Sequence, residues 1–382
     1  MIEIADADAA RRWAMGVERE PAAFEALDLR DCPGFESGTF DGCLFLSCLL
    51  TPAQAGYLTT TGATVIRDDP ARPYTLNRAR LYTPDELFAG YDADAEDGWA
   101  STWDATVYRH WRATGGSTPD RIDESLARRL HDHSISDALY EAVDDRRPVA
   151  IMGGHAVGRA DPQYAMVARI ARTLTREGYL MLSGGGPGAM EATHLGAWMA
   201  HFDDAELDDA IEVLSPRPAG AEPGREYADP DWLHRAMEVR ERWAVDSPRH
   251  DSIGIPTWTY GHEPPAAFAT LIAKYFANSV REDGLLAIAT YGVIYSPGSA
   301  GTVQEIFQDA SQNHYASFGP PSPMILFGAD HWTRELPAWP LLRALAAGHD
   351  YAGLLTLTDD ESEIIETIRT YHRVTSGVRH QM

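Results

Sequence analysis

The sequence predicts an α/β fold, with a doubly wound parallel sheet over residues 146–382 and a smaller, β-rich module before it over residues 1–145. Three observations predict it. The apolar runs Pro148–Met152, Tyr179–Ser183 and Tyr291–Ser296 have strand length, and each ends in a glycine turn. Amphipathic helical patterns follow, as at Asp161–Arg176 and from about Thr302. In open α/β sheets, turns of this kind gather outside the carboxyl ends of the strands, where ligands bind.

In the N-terminal module, Met1–Arg12 is acidic and lacks an apolar run, so a signal peptide is not expected, and no stretch has the length of a membrane span. Cys32, Cys43 and Cys48 are an odd set without metal-like spacing, which suits small buried hydrophobes in a reducing, cytoplasmic setting. Phe24–Cys32 and Phe40–Cys48 share a five-residue rhythm like one or two coils of a pentapeptide-repeat β-helix. Solenoids need several repeats to bury a core, so an ordinary small β-rich unit is the favoured reading. Ile122–Val143 reads as a helix. Its His131-Asp132-His133 run points in different directions and reads as a solvated face, and no metal is expected.

Composition narrows the function classes. The 57 acidic and 32 basic residues of this 382-residue chain leave a formal charge of −25, which repels nucleic acid and anionic membranes but leaves room for a small phosphorylated ligand. Lys274 is the only lysine. A phosphate loop of the glycine-lysine type is therefore excluded, and a pyridoxal-phosphate enzyme has one candidate for its Schiff base.

In the larger domain, Gly153-Gly154-His155 closes the first strand, and the helix 161–176 packs Ala165, Ile170 and Leu174 on the sheet. Gly184-Gly185-Gly186-Pro187-Gly188 follows the second strand, with Pro187 at a first helical position and Glu191 in the first turn. Glu191 can face a ligand or serve only to favour the positive end of the helix. Residues 202–250 are a charged insertion with helices near 205–213 and 230–245, and 251–255 is a strand. The following loop, 256–264, carries Trp258, Tyr260, His262 and Glu263. It is either an aromatic wall for a base or a rigid proline-bounded loop or subunit contact. A helix is expected over Ala266–Glu282, with Phe268, Leu271, Ile272, Tyr275 and Phe276 buried and Lys274, Asn278 and Arg281 together on another side.

Pro297-Gly298-Ser299-Ala300-Gly301-Thr302 then turns into a helix on which Thr302 and Glu305 share a face. The glycines either aim amides at a phosphate or serve tight packing alone. Strands at 323–328 and 354–358 and helices at 341–347 and 361–372 complete the domain, the last started by Asp359 or Asp360.

The Pro297–Glu305 segment resembles the PGGxGTxxE signature of the Lonely Guy (LOG) family, and Ser183–Ala192 resembles its first glycine motif. Gly153-Gly154-His155 is similar to the opening turn of the long bacterial members that act as nucleotide 5′-monophosphate nucleosidases. The resemblance spans about residues 146–382 and implies a Rossmann-like, LOG-type sheet. It departs at Ser299, where the family has glycine, and at Arg281, which stands one residue farther from Pro297 than the family's arginine; the matching position is Glu282.

The resemblance implies hydrolysis of the N-glycosidic bond of a nucleoside 5′-monophosphate, giving free base and ribose 5-phosphate. Glu305, Arg281 and Glu191 would be catalytic, and Trp258, Tyr260 and His262 would hold the base. Gly153, Gly154, His155, Gly184, Gly185, Gly186, Gly188, Pro297, Gly298, Ser299, Gly301 and Thr302 would hold the phosphate and nucleotide. No cofactor and no metal is expected, and relatives imply a homodimer or higher homo-oligomer. The alternative is a non-catalytic carrier of a nucleotide or of molybdenum cofactor.

Overall fold

The structure is a computed structural model that describes residues 1–4, 6–16, 19–95, 97–216, 225–245 and 251–371. The chain forms two compact units, Met1–Leu81 with Arg109–Leu139, and Tyr82–Tyr108 with Tyr140–Met382. Residues 82–108, grouped with the N-terminal module on sequence grounds, lie in the larger unit.

The smaller unit holds β1 (Ile2–Ile4), α1 (Ala7–Ala14), β2 (Ala22–Glu25), β3 (Leu44–Leu46), α2 (Pro52–Thr60) and β4 (Thr64–Ile66). The strands form one parallel sheet in chain order. Residue 2 pairs with 22, 23 with 44 and 44 with 64, so the structural period is 20 or 21 residues. This corrects the expectation of an ordinary β-rich unit: successive turns stack like with like, as in a short solenoid. Phe24 lies on Phe45 with ring centroids 4.6 Å apart, and Ala26 and Ser47, the residues that leave β2 and β3, share a left-handed backbone with φ of 52° and 53°. The three cysteines are buried and free.

Next come α3 (Pro84–Leu87), α4 (Trp103–Ala113) and α5 (Ile122–Val143). On α5 the HDH run is not a solvated face. His131 and Asp132 are buried, with Nδ1 3.2 Å from Oδ1, and His133 alone is exposed. Among the described residues no group of three or more His, Cys, Asp or Glu is arranged to hold a metal.

The larger unit is built on β5 (Pro148–Met152), α6 (Pro162–Arg176), β6 (Leu180–Ser183), α7 (Ala189–Trp198), α8 (Asp204–Leu214), α9 (Pro230–Arg242), β7 (Ser252–Gly254), β8 (Leu271–Ile272), α10 (Asn278–Ile288), β9 (Val293–Tyr295), α11 (Ala300–Tyr315), β10 (Met324–Phe327), α12 (Ala338–Ala346), β11 (Leu355–Thr358) and α13 (Glu361–Thr370). Parts of the 202–250 insertion, residues 217–224 and 246–250, lie outside the described residues, as does His372. The seven strands are parallel in the order β11-β10-β9-β5-β6-β7-β8, with helices on both faces, a doubly wound, Rossmann-like sheet. The central strands are buried along their whole length because helices cover both sides. Helices α6 and α7 pack closely, since a side chain at Gly196 would collide with the Ala168 carbonyl.

The helix expected over Ala266–Glu282 does not form. Ala266 N–H donates to the Gly185 carbonyl, Ala273 N–H to Gly254 and Tyr275 N–H to Pro256, so the segment lies along the sheet edge as β8, and the helix starts only at Asn278. Donors that a helix would use internally are taken by the sheet.

Candidate functional site

Strand order decides where the glycine turns meet. The strands β9, β5 and β6 are adjacent, and their turns, Pro297–Gly301, Gly153–Gly154 and Gly184–Gly188, converge where the chain's direction of winding reverses. Gly153 has φ of +85°, and a Cβ there would lie 2.6 Å from the Ser296 carbonyl, so the turn requires glycine. Between the turns lies a cleft of about 680 Å³.

Most of the expected site residues line this cleft: Gly153, Gly154, His155, Gly184, Gly185, Gly186, Tyr260, Arg281, Pro297, Gly298, Ser299, Gly301, Thr302 and Glu305. Gly188 lines an adjoining 380 Å³ pocket instead, and Pro187 precedes the N-cap of α7 rather than starting the helix.

The first turn of α11 is the best anion site. Among the described α-helices, those with an Asp or Thr at the N-cap are closed by that side chain, as Asp161 closes α6 and Asp203 closes α8. Ser299, the N-cap of α11, makes no such bond, and the amides that open the 16-residue helix face the cleft with the positive end of its dipole. His331 supports the turn, with Nε2 2.9 Å from the Gly298 carbonyl and Nδ1 2.8 Å from Glu335.

One turn along α11, Glu305 is largely buried at the cleft wall. Desolvation raises its carboxyl to about 7, against the pull of Arg281, whose Nη1 stands 4.0 Å from Oε1; Glu282 adds to the rise. Arg281 is fixed by donating to the Ile255 carbonyl at 2.7 Å and the Gly184 carbonyl at 3.2 Å. Glu282, the alternative by family spacing, also lines the cleft but accepts from Asn278 and Gln304. The guanidinium facing Glu305 is therefore that of Arg281.

Three further expected site residues are placed elsewhere. Glu191 is fully buried outside the cleft, held by a bidentate Arg159 at 2.8 and 2.6 Å and by the Tyr164 hydroxyl at 3.0 Å. Arg159 also donates to the Trp232 carbonyl, so Glu191 ties α7 to α6 and α9 rather than meeting a ligand. Trp258 is also fully buried, stacked on Phe276 at 4.4 Å, with its indole donating to Asp104. His262 is half exposed, 3.7 Å from Glu263, and outside the cleft lining. Of the expected base wall, Tyr260 alone remains.

The cleft also contains residues that were not among the expected site residues. Lys274 lies in the wall, 1% exposed, with Nζ 2.6 Å from Asp104; burial lowers its pKa, opposed by that carboxylate. Its solitude in the sequence was the signal. Glu263 lines the cleft opposite, with Oε1 3.0 Å from His155 Nε2. His331 had no signal at all.

No known family model matches the sequence, and no curated protein matches it. Among solved structures, the chain is similar to a molybdenum cofactor binding protein from the phototrophic bacterium Rippkaea orientalis, at 15% identity over 59% of this chain and 98% of that one, with a TM-score of 0.36. It is also similar to the molybdenum cofactor carrier protein of Chlamydomonas reinhardtii in two structures, at 14% and 16% identity over 59% of this chain and 97% and 96% of those, with TM-scores of 0.35. Similarity at this level assigns neither ligand nor activity.

Proposed function

We propose that the cleft binds a nucleoside 5′-monophosphate and hydrolyses its N-glycosidic bond. The observation that carries this is Glu305, a buried carboxyl raised to about 7, one helical turn beyond an uncapped helix N-terminus. A carboxyl with that value changes protonation at working pH, which suits a general base directing water at an anomeric carbon. The amides of Ser299–Thr302 would fix the phosphate, and ionised Glu305 would stabilise the cation left as the base departs, with Arg281 holding the carboxylate. Base release from 5′-monophosphates but not from the matching nucleosides, rising with pH through about 7 and falling at least ~100-fold in Glu305→Gln, is the expected result. Chromatography of free base over a panel of purine and pyrimidine substrates measures it. Release that is unaffected by Glu305→Gln would overturn the assignment.

A second reading, carriage of a nucleotide or of molybdenum cofactor without turnover, is favoured by the placement of Glu191. With that residue sealed against Arg159, the cleft lacks the second catalytic carboxylate expected of the enzyme. Tight binding of one panel member without release would support it, and molybdenum cofactor belongs in that panel.

A further inference from the structure

Glu263 is unlike the other polar groups of the cleft wall. Lys274 is neutralised by Asp104, Arg281 is anchored on two carbonyls, and Glu282 accepts from two amides. Glu263 receives His155 on Oε1, while Oε2 points at the second glycine turn, 3.4 Å from where a Gly186 Cβ would stand. Its side chain is 13% exposed, so this acceptor lies inside the cleft rather than at its mouth. A carboxylate there opposes an anion at the Gly184–Gly188 turn, although that turn also leads to a helix without a side-chain cap. The two glycine turns therefore differ in what they accept. The α11 turn suits the phosphate, and the region over Gly186 suits a neutral group that donates hydrogen bonds.

Topology narrows which group that is. Glu263 lies on the long loop that follows β7, the neighbour of β6, so an acidic residue stands beside the glycine turn that β6 carries. Dinucleotide-binding α/β folds likewise use an acidic residue near a glycine turn to hold ribose hydroxyls. The contact with His155 brings the carboxylate back to the loop after β5, the strand adjacent to β9, whose turn opens α11.

We propose that Glu263, braced by His155, is the specificity-determining acceptor for the ribose 2′ and 3′ hydroxyls, so that the cleft selects ribonucleotides over deoxyribonucleotides. The proposal rests on the reading of the cleft as a nucleoside 5′-monophosphate site. Two hydroxyls donating to one carboxylate are charge-assisted bonds, each strong enough for about a tenfold effect.

The test is calorimetric binding of a ribonucleoside 5′-monophosphate and its 2′-deoxy and 2′,3′-dideoxy analogues to the full chain carrying Glu305→Gln, so that turnover does not consume the ligand. The ribonucleotide should bind ~30-fold or more tighter than the dideoxy analogue. Adding Glu263→Ala should bring the ratio close to one by weakening the ribonucleotide alone, and Glu263→Gln should give an intermediate ratio. A thermal melt of each variant verifies folding, and Glu263 lies in a loop rather than in the core. An unchanged ratio in Glu263→Ala, or equal weakening of all three ligands, overturns the role of Glu263 while leaving the nucleotide site intact. Failure of all three ligands to bind the Glu305→Gln chain overturns both.

Discussion

Glu305 and Asp309 stand one turn apart on α11, and burial raises both carboxyls to about 7, yet only Glu305 faces the cleft. Asp309 is sealed beneath the helix, where it accepts from the Tyr295 hydroxyl at 2.7 Å and no cation pairs with it among the described residues. The native chain keeps this proton above the pH at which an unfolded aspartate releases it. Native protein thus binds more protons than unfolded protein between roughly pH 4 and 7, and stability falls as pH rises through that window. Each pH unit of that difference carries about 1.4 kcal/mol. Urea unfolding of wild type and Asp309→Asn at about pH 5 and pH 8 should show the loss on raising pH to be smaller in the variant by ~1 kcal/mol or more. Equal losses would mean that native Asp309 ionises as an ordinary aspartate does. Glu305 adds a slope of the same sign to both proteins, so the comparison isolates Asp309.

At the scale of elements, α11 trades helix stability for an open end. Ser299→Asp would supply the missing cap and a charge that suits the dipole, and is expected to raise stability by about 0.5–1 kcal/mol. The same carboxylate would occupy the anion site, so affinity for a 5′-monophosphate should fall at least ~10-fold. A variant that gained stability and kept its affinity would place the phosphate elsewhere. Strands β5, β6, β7, β9, β10 and β11, the glycine turns and helices α5, α6 and α13 were legible in the sequence because periodicity, length and caps are local signals. What was not legible depends on partners distant in sequence. Glu191 cannot be told from a ligand-facing carboxylate without Arg159, 32 positions earlier, and the stripe over 266–282 has helical spacing although its amides bond to the sheet edge. The N-terminal repeat was legible only as a five-residue rhythm, too short to count as a solenoid, for another reason. Its period is set by strand-to-strand register, and the five-residue rhythm is only a local echo of it.

Over the whole molecule, the charge of −25 acts on anything approaching the cleft. The site attracts anions by amides and a helix end, short-range features set in a surface that repels them at long range. Added salt should therefore speed association of a nucleotide as the screening length falls from ~30 Å at 0.01 M to ~8 Å at 0.15 M. Stopped-flow rates across that range test this, and a rate that drops with salt would reveal a local cationic funnel. The wall beside the cleft offers an observable of its own. Lys274 is the chain's single lysine, and its amine is closed in against Asp104 and Trp258. Acylation by an amine-directed reagent can reach that side chain only when the wall opens. The labelling rate at this one position then becomes a clock for the wall's opening, and a molecule seated in the cleft would slow it.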